Sequence, residues 1–207
     1  MKHAICYVDG FNLYHSISEL QTPQLKWLDL WTLAQSFLSA ADELRAVVYF
    51  TAVADWNPDK ARRHRKYIAA LRERHVEVVL SRFQRVVKSC KTQARSCPFQ
   101  EEKETDVALA SRVLVDALTG LVEKKIIITA DTDQVPMFKH VRTVAPTSEL
   151  VLAVPPGRLS RVRALRAIAS NYIEIHPARL GACLLPRNVV NVAGKIVAAC
   201  PADYLPA

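Results

Sequence analysis

The chain has 207 residues, 50% hydrophobic and 23% charged, with 28 Lys and Arg against 20 Asp and Glu and a formal net charge of +8. This length fits one domain with a tail, and the apolar share excludes a disordered or collagen-like chain. No apolar run approaches the roughly 18 residues of a membrane span. Asp9 closes the first apolar run and no small-residue cleavage site follows it, so a signal peptide is not expected. The odd count of 5 cysteines then points to reduced thiols and a cytoplasmic protein.

In chain order, residues 4–8 read as a strand, followed by helical spacing over residues 11–20 and 29–39. Residues 46–53 read as a strand, 58–75 as a helix and 76–80 as a strand. Residues 82–100, polar and basic with Cys90 and Cys97, read as an irregular connection. Helix 102–121, strand 126–129, helix 135–143, strand 150–154, helix 161–169 and a weaker strand 172–175 continue the alternation. The strands lack polar alternation, as strands covered on both faces do. The expected fold is therefore α/β, a mostly parallel sheet with helices on both sides and ligands beyond the carboxyl ends of its strands. Past residue 177 the pattern is interrupted by Pro186, Pro201 and Pro206, with short strands at 189–192 and 195–199. The chain thus divides into a domain of residues 1–177 and an appendage of 178–207 packed on the core or on a partner.

Four acids stand at informative places. Asp9 directly follows the first strand, and Asp131 and Asp133 follow strand 126–129. Asp106 heads the helical face of Leu109, Ala110, Val113 and Ala117, with Glu102 one turn earlier. Each acid also suits a helix start, as an N-cap or as a charge favoured by the helix dipole. Asp116, four residues after Arg112, reads as half of a surface ion pair. Carboxylates gathered at one crevice repel one another unless a cation neutralises them, and hard oxygen ligands suit Mg²⁺ or Mn²⁺. The acids therefore point to metal-dependent phosphoryl chemistry.

Between Lys60 and Arg95 twelve cations stand against two acids, Glu73 and Glu77, a surplus of ten that leaves the rest of the chain slightly acidic. Such a concentration suits a phosphate backbone. Arg158, Arg161 and Arg163 follow strand 150–154 and lie within reach of the crevice. Tyr14, Trp56 and Phe83 offer faces for unpaired bases, or plain packing. Cys90 and Cys97 lack the further ligands that zinc requires, and His64, His75 and His140 have no ligating spacing. No Walker-type phosphate loop or GxGxxG is present.

The acids lie in motifs that carry a resemblance. Tyr7-Val8-Asp9-Gly10-Phe11-Asn12-Leu13-Tyr14 resembles the opening motif of NYN domains, which are PIN-like nucleases. Glu101-Glu102-Lys103-Glu104-Thr105-Asp106 is similar to their central helix motif, and Thr129-Ala130-Asp131-Thr132-Asp133 to their third acidic motif. The resemblance implies a PIN-like three-layer α/β/α fold with a central mostly parallel sheet. It implies a metal-binding and catalytic cluster of Asp9, Asp106, Asp131 and Asp133, with Asn12 orienting a ligand or water and Thr129 near the substrate phosphate. RNA cleavage with Mg²⁺ or Mn²⁺ is the implied activity, DNA not being excluded, and a homodimer is compatible with it. Arg62, Arg65, Lys66, Arg161 and, inside the helix motif, Lys103 are the candidate substrate contacts. The chain departs from the pattern at Glu104 and Ala130, where the family commonly has Gly, and at Gln134, where it often has Phe. The rival expectations are a non-catalytic RNA-binding or regulatory module on the same fold, and a phosphatase or nucleotidyl-transfer site without its supporting motifs.

Overall fold

Runs of β-branched residues buried on both faces set the centre of the molecule, in a computed structural model that describes residues 1–89 and 96–205. The strands are β1 (Lys2–Asp9), β2 (Asp42–Ala52), β3 (Glu77–Ser89), β4 (Ser96–Lys103), β5 (Lys124–Ile128), β6 (Glu149–Val154), β7 (Asn171–Glu174), β8 (Asn188–Val190) and β9 (Ile196–Ala199). The α-helices are α1 (Gly10–Glu19), α2 (Leu30–Gln35), α3 (Pro58–Glu73), α4 (Thr105–Leu118), α5 (Val135–Val144), α6 (Arg163–Ile168) and α7 (Pro177–Gly181). Seven strands form one sheet in the order β4-β3-β2-β1-β5-β6-β7, parallel at every junction except β3–β4.

Successive residues of β1 serve opposite cores, as strand geometry requires. Cys6 and Val8 pack in the layer containing Leu13 and Ile17 of α1, Leu33 of α2 and Leu71 of α3. Ile5 and Tyr7 pack in the layer containing Leu109 and Val113 of α4, Phe138 of α5 and Leu165 of α6. The result is the three-layer α/β/α arrangement expected of a PIN-like fold. Tyr7 also corrects the reading of Asp116: the buried phenol donates to Asp116 at 2.8 Å, so this carboxylate is a partly buried acceptor as well as the partner of Arg112. A buried tyrosine hydroxyl needs such a partner.

The segment expected as an irregular connection is largely the antiparallel hairpin of β3 and β4, running from the Arg82–Lys103 pair to the Ser89–Ser96 pair. It extends the sheet edge where little is buried, so its sequence carries almost no apolar pattern. Glu102 accordingly lies on β4, and α4 starts only at Thr105. Cys90 lies outside the described residues.

The C-terminal segment packs on α3. Trp27, Ala70, Leu185, Val189 and Ala198 form a separate small core, and the Trp27 indole donates to the Pro186 carbonyl at 2.9 Å. Arg63 pairs with Asp203 at 2.9 Å.

Gly10, the first residue of α1, lies hard against β2. A Cβ there would stand 2.5 Å from the Phe50 carbonyl oxygen and 2.6 Å from the Tyr49 ring. Gly10→Ala is therefore expected to cost on the order of 1–3 kcal/mol of stability, as overpacking does, read as a lowered midpoint in urea denaturation.

Candidate active site

The sheet ends its central strands in a crevice of about 250 Å³, lined by Asp9, Phe11, Asn12, His15, Glu102, Asp106, Ala130, Asp131, Arg158 and Arg161. Asp9 is the last residue of β1 and the N-cap of α1, where one carboxylate oxygen accepts the Asn12 backbone N–H at 3.0 Å. Its other oxygen accepts the Thr129 hydroxyl at 2.8 Å. That same hydroxyl receives the Asp131 N–H at 3.1 Å, and Asp131 in turn accepts the Asp133 N–H at 2.9 Å. The Asn12 side-chain oxygen accepts the Ala130 N–H at 2.9 Å. The turns after β1 and β5 are thus laced together, and capping and crevice formation are done by the same carboxylates.

The expected residues fall into three groups. Asp9, Asp106, Asp131, Asn12 and Arg161 line the crevice. Thr129 is fully buried with its hydroxyl engaged on Asp9 and the Asp131 N–H, so it holds acids in place instead of reaching substrate, and Asn12 keeps only its NH₂ group for a ligand. Asp133 is exposed outside the lining and acts on Asp106 through its charge. Arg62, Arg65 and Lys66 sit on the exposed side of α3, away from the lining. Asp59 answers Arg62 and Asp55 answers Arg65, acids just outside the basic span. Lys103 pairs with Glu101 at 2.8 Å. Phe11, His15 and the acid Glu102 complete the wall. Phe11 and His15, four apart, share one face of α1, a spacing legible in the sequence. Arg158 is nearly buried and pairs with Glu19.

Crowding shows in the acids' protonation. Burial, then the charges of Asp106 and Asp131, push Asp9 up to about 6 against the hydrogen bonds from Asn12 and Thr129. Burial and the Asp106 charge push Glu102 up to about 7. Asp106, on the rim, is raised by partial desolvation and by Asp131, while Gln134 Nε2 donates to it at 3.2 Å. This donor set, all carboxylate oxygen and short of counter-charge, has the chemistry for Mg²⁺ or Mn²⁺. Among the described residues no three acidic, His or Cys side chains are set to enclose an ion as they stand. A cation bound there would need water for the rest of its coordination shell, as Mg²⁺ usually keeps.

Matching of the chain to family models decides its membership: the NYN domain matches residues 4–176. The chain belongs to the NYN domain family. NYN domains are typically nucleases, with RNA as the associated substrate class, and this chain has their nuclease-like fold. A 6-hydroxy-3-succinoylpyridine 3-monooxygenase, HspA of Pseudomonas putida, is 28% identical over 223 aligned positions, spanning 87% of this chain and 69% of that protein. A protein of unknown function from Vibrio parahaemolyticus has a crystal structure matching with a TM-score of 0.57 at 16% identity, over 89% of this chain and 96% of that one, a likeness of fold. Among the described residues no helix is long and apolar enough to cross a membrane.

One departure from the NYN pattern has a structural signature. Glu104, where the family commonly has Gly, adopts φ +79°, a left-handed conformation natural to glycine. Its compensation is an exposed ion pair with Arg82 at 2.8 Å, worth little. Glu104→Gly is expected to leave stability unchanged or to raise it by up to about 1 kcal/mol, measured by thermal denaturation.

Asp9 and Glu102 hold protons more tightly folded than unfolded, so this pair makes stability fall as pH rises from about 4 to about 7. Asp106→Asn should flatten that decline, and Mn²⁺ should raise the wild-type melting temperature at pH 8 more than at pH 5. Parallel thermal scans at the two pH values check both outcomes.

Proposed function

We propose that this chain is a metal-dependent ribonuclease that hydrolyses RNA phosphodiester bonds at the strand-end crevice. The observation that carries the reading is the convergence of Asp9, Glu102, Asp106 and Asp131 from three separate segments of an NYN domain, with Arg161 on the same wall. Asp9, Asp106 and Asp131 would hold Mg²⁺ or Mn²⁺, with Glu102 beside them and Asp133 adding charge from the rim. When bound, such a cation supplies water activation and neutralises charge on the phosphate.

The chain's own groups do the rest. Thr129 and the Asn12 backbone N–H fix the Asp9 carboxylate, so its orientation does not have to be found during the reaction. Arg161 draws the phosphate toward the acids, and the Asn12 NH₂ group offers it a hydrogen bond. A cation would take over the neutralisation that protons supply to Asp9 and Glu102, returning both to carboxylates.

With purified protein, single-stranded RNA and Mn²⁺, cleavage is expected and EDTA should abolish it. Asp9→Asn and Asp131→Asn should each lower the rate at least about a hundredfold, a change of roughly 2.7 kcal/mol in the barrier, and Asp133→Asn less. Cleavage that survives EDTA or Asp9→Asn overturns the reading, and salt-dependent RNA binding without turnover favours a non-catalytic RNA-binding module instead.

A second reading takes support from an aromatic cavity of about 460 Å³ beside the crevice and from the Pseudomonas relative. It makes the substrate a small heterocycle. Saturable binding of a hydroxypyridine, with no RNA turnover, would favour it.

A further inference from the structure

The aromatic cavity and the acidic crevice are not separate. Phe11, His15 and Glu102 line both, so a ligand can occupy the two at once. Trp56, 48% exposed, stands edge-to-face with Phe83 at 4.4 Å between centroids, and Phe83 meets Phe11 in the same manner at 5.5 Å. Edge-to-face contacts leave ring faces uncovered for a further planar group.

The floor of the cavity is polar but uncharged. Thr51, 1% exposed, lies 3.3 Å from the Nε2 of His64, and Tyr49 is buried alongside. Burial brings the His64 imidazole down to about 4, so it is neutral at neutral pH. Neutral donors and acceptors at the end of an aromatic slot match the edge of a heterocycle. Lys26, Lys60 and Arg63 also line the cavity, and Arg63 is paired with Asp203. Tyr204 of the C-terminal segment closes a further wall.

We propose that this cavity receives one unpaired base of an RNA strand whose adjoining phosphate lies in the acidic crevice, the base stacking on Trp56 with the perpendicular ring of Phe83 against its edge. The occupant is fixed by continuity with the acids, because a base joined to a phosphate spans both chambers and a free ring fills only one. A base paired within a duplex is stacked between its neighbours and presents no free face to Trp56, so the strand is read unpaired at this position. The proposal rests on the ribonuclease reading and gives that site its substrate class.

The test separates the two. Binding of a fluorescently labelled single-stranded RNA hexamer is measured by anisotropy in EDTA, where metal-dependent cutting cannot contribute, alongside hexamers with one abasic residue at each position in turn. Base–aromatic stacking predicts that one abasic position weakens wild-type binding on the order of tenfold or more. Trp56→Ala and Phe83→Ala, whose folding is checked by circular dichroism, should bind the intact hexamer about that much more weakly and lose the abasic penalty. Trp56→Phe should restore most of both. Equal binding of every abasic hexamer by the wild type overturns the proposal, as does an undiminished penalty in both alanine variants. Quenching of tryptophan fluorescence by free 2-hydroxypyridine, with none by the hexamer, also overturns it in favour of a small-molecule pocket. If the abasic penalty holds while no RNA is cut in Mn²⁺, the base subsite stands and the ribonuclease reading alone fails.

Discussion

A carboxylate buried at the end of a central strand has to be answered by donors, and the donors that answer Asp9 come from two directions. The Asn12 N–H comes from the helix that follows, and the Thr129 hydroxyl from the neighbouring strand end. Because Thr129 also receives the Asp131 N–H, one hydroxyl couples the two acids at fixed separation. Buried hydrogen-bond partners are costly to lose, so the path of the chain after β1 and β5 and the shape of the crevice are settled by one requirement.

The capping role of these acids and their place in the crevice are therefore one fact. A capping carboxylate keeps an N–H donor on one lone pair and presents the remainder to the open side, which suits an acid that must be held and still meet a ligand. The donors lower the pKa of Asp9 less than burial and neighbouring charge raise it, so this carboxylate is left short of compensating positive charge. Arg158 does little to offset this, since it is bound to Glu19.

The central layer was legible because its strands are short apolar runs with acids directly after them. Residues 4–8 and 150–154 sit inside β1 and β6, and 126–129 overruns the end of β5 by Thr129 alone. The β3–β4 hairpin was not, because a solvent-facing edge imposes little apolar periodicity and Arg82, Gln84 and Arg85 read as loop. That error displaced Glu102 from strand to helix. The basic span is less concentrated in space than along the chain, because a count along the sequence ignores spatial partners: Arg74 is bound to the buried Asp29, Arg63 to Asp203 and Arg82 to Glu104. Asp9, Asp106 and Asp131 were found by position alone, while the commitment of Thr129 to the interior depends on a contact 120 residues away and leaves no local trace.

Tyr204 reaches the aromatic cavity from the far end of the chain, carried by a turn that Asp203 anchors to α3. Any occupant that packs on this ring binds the docked form of the C-terminal segment in preference to an undocked one. By reciprocity the segment's docking equilibrium and the occupant's affinity change by the same factor. The last turn of the chain is thus a thermodynamic component of the cavity, and whatever loosens it, at Arg63, Asp203 or the small core around Trp27, weakens binding without touching the ligand.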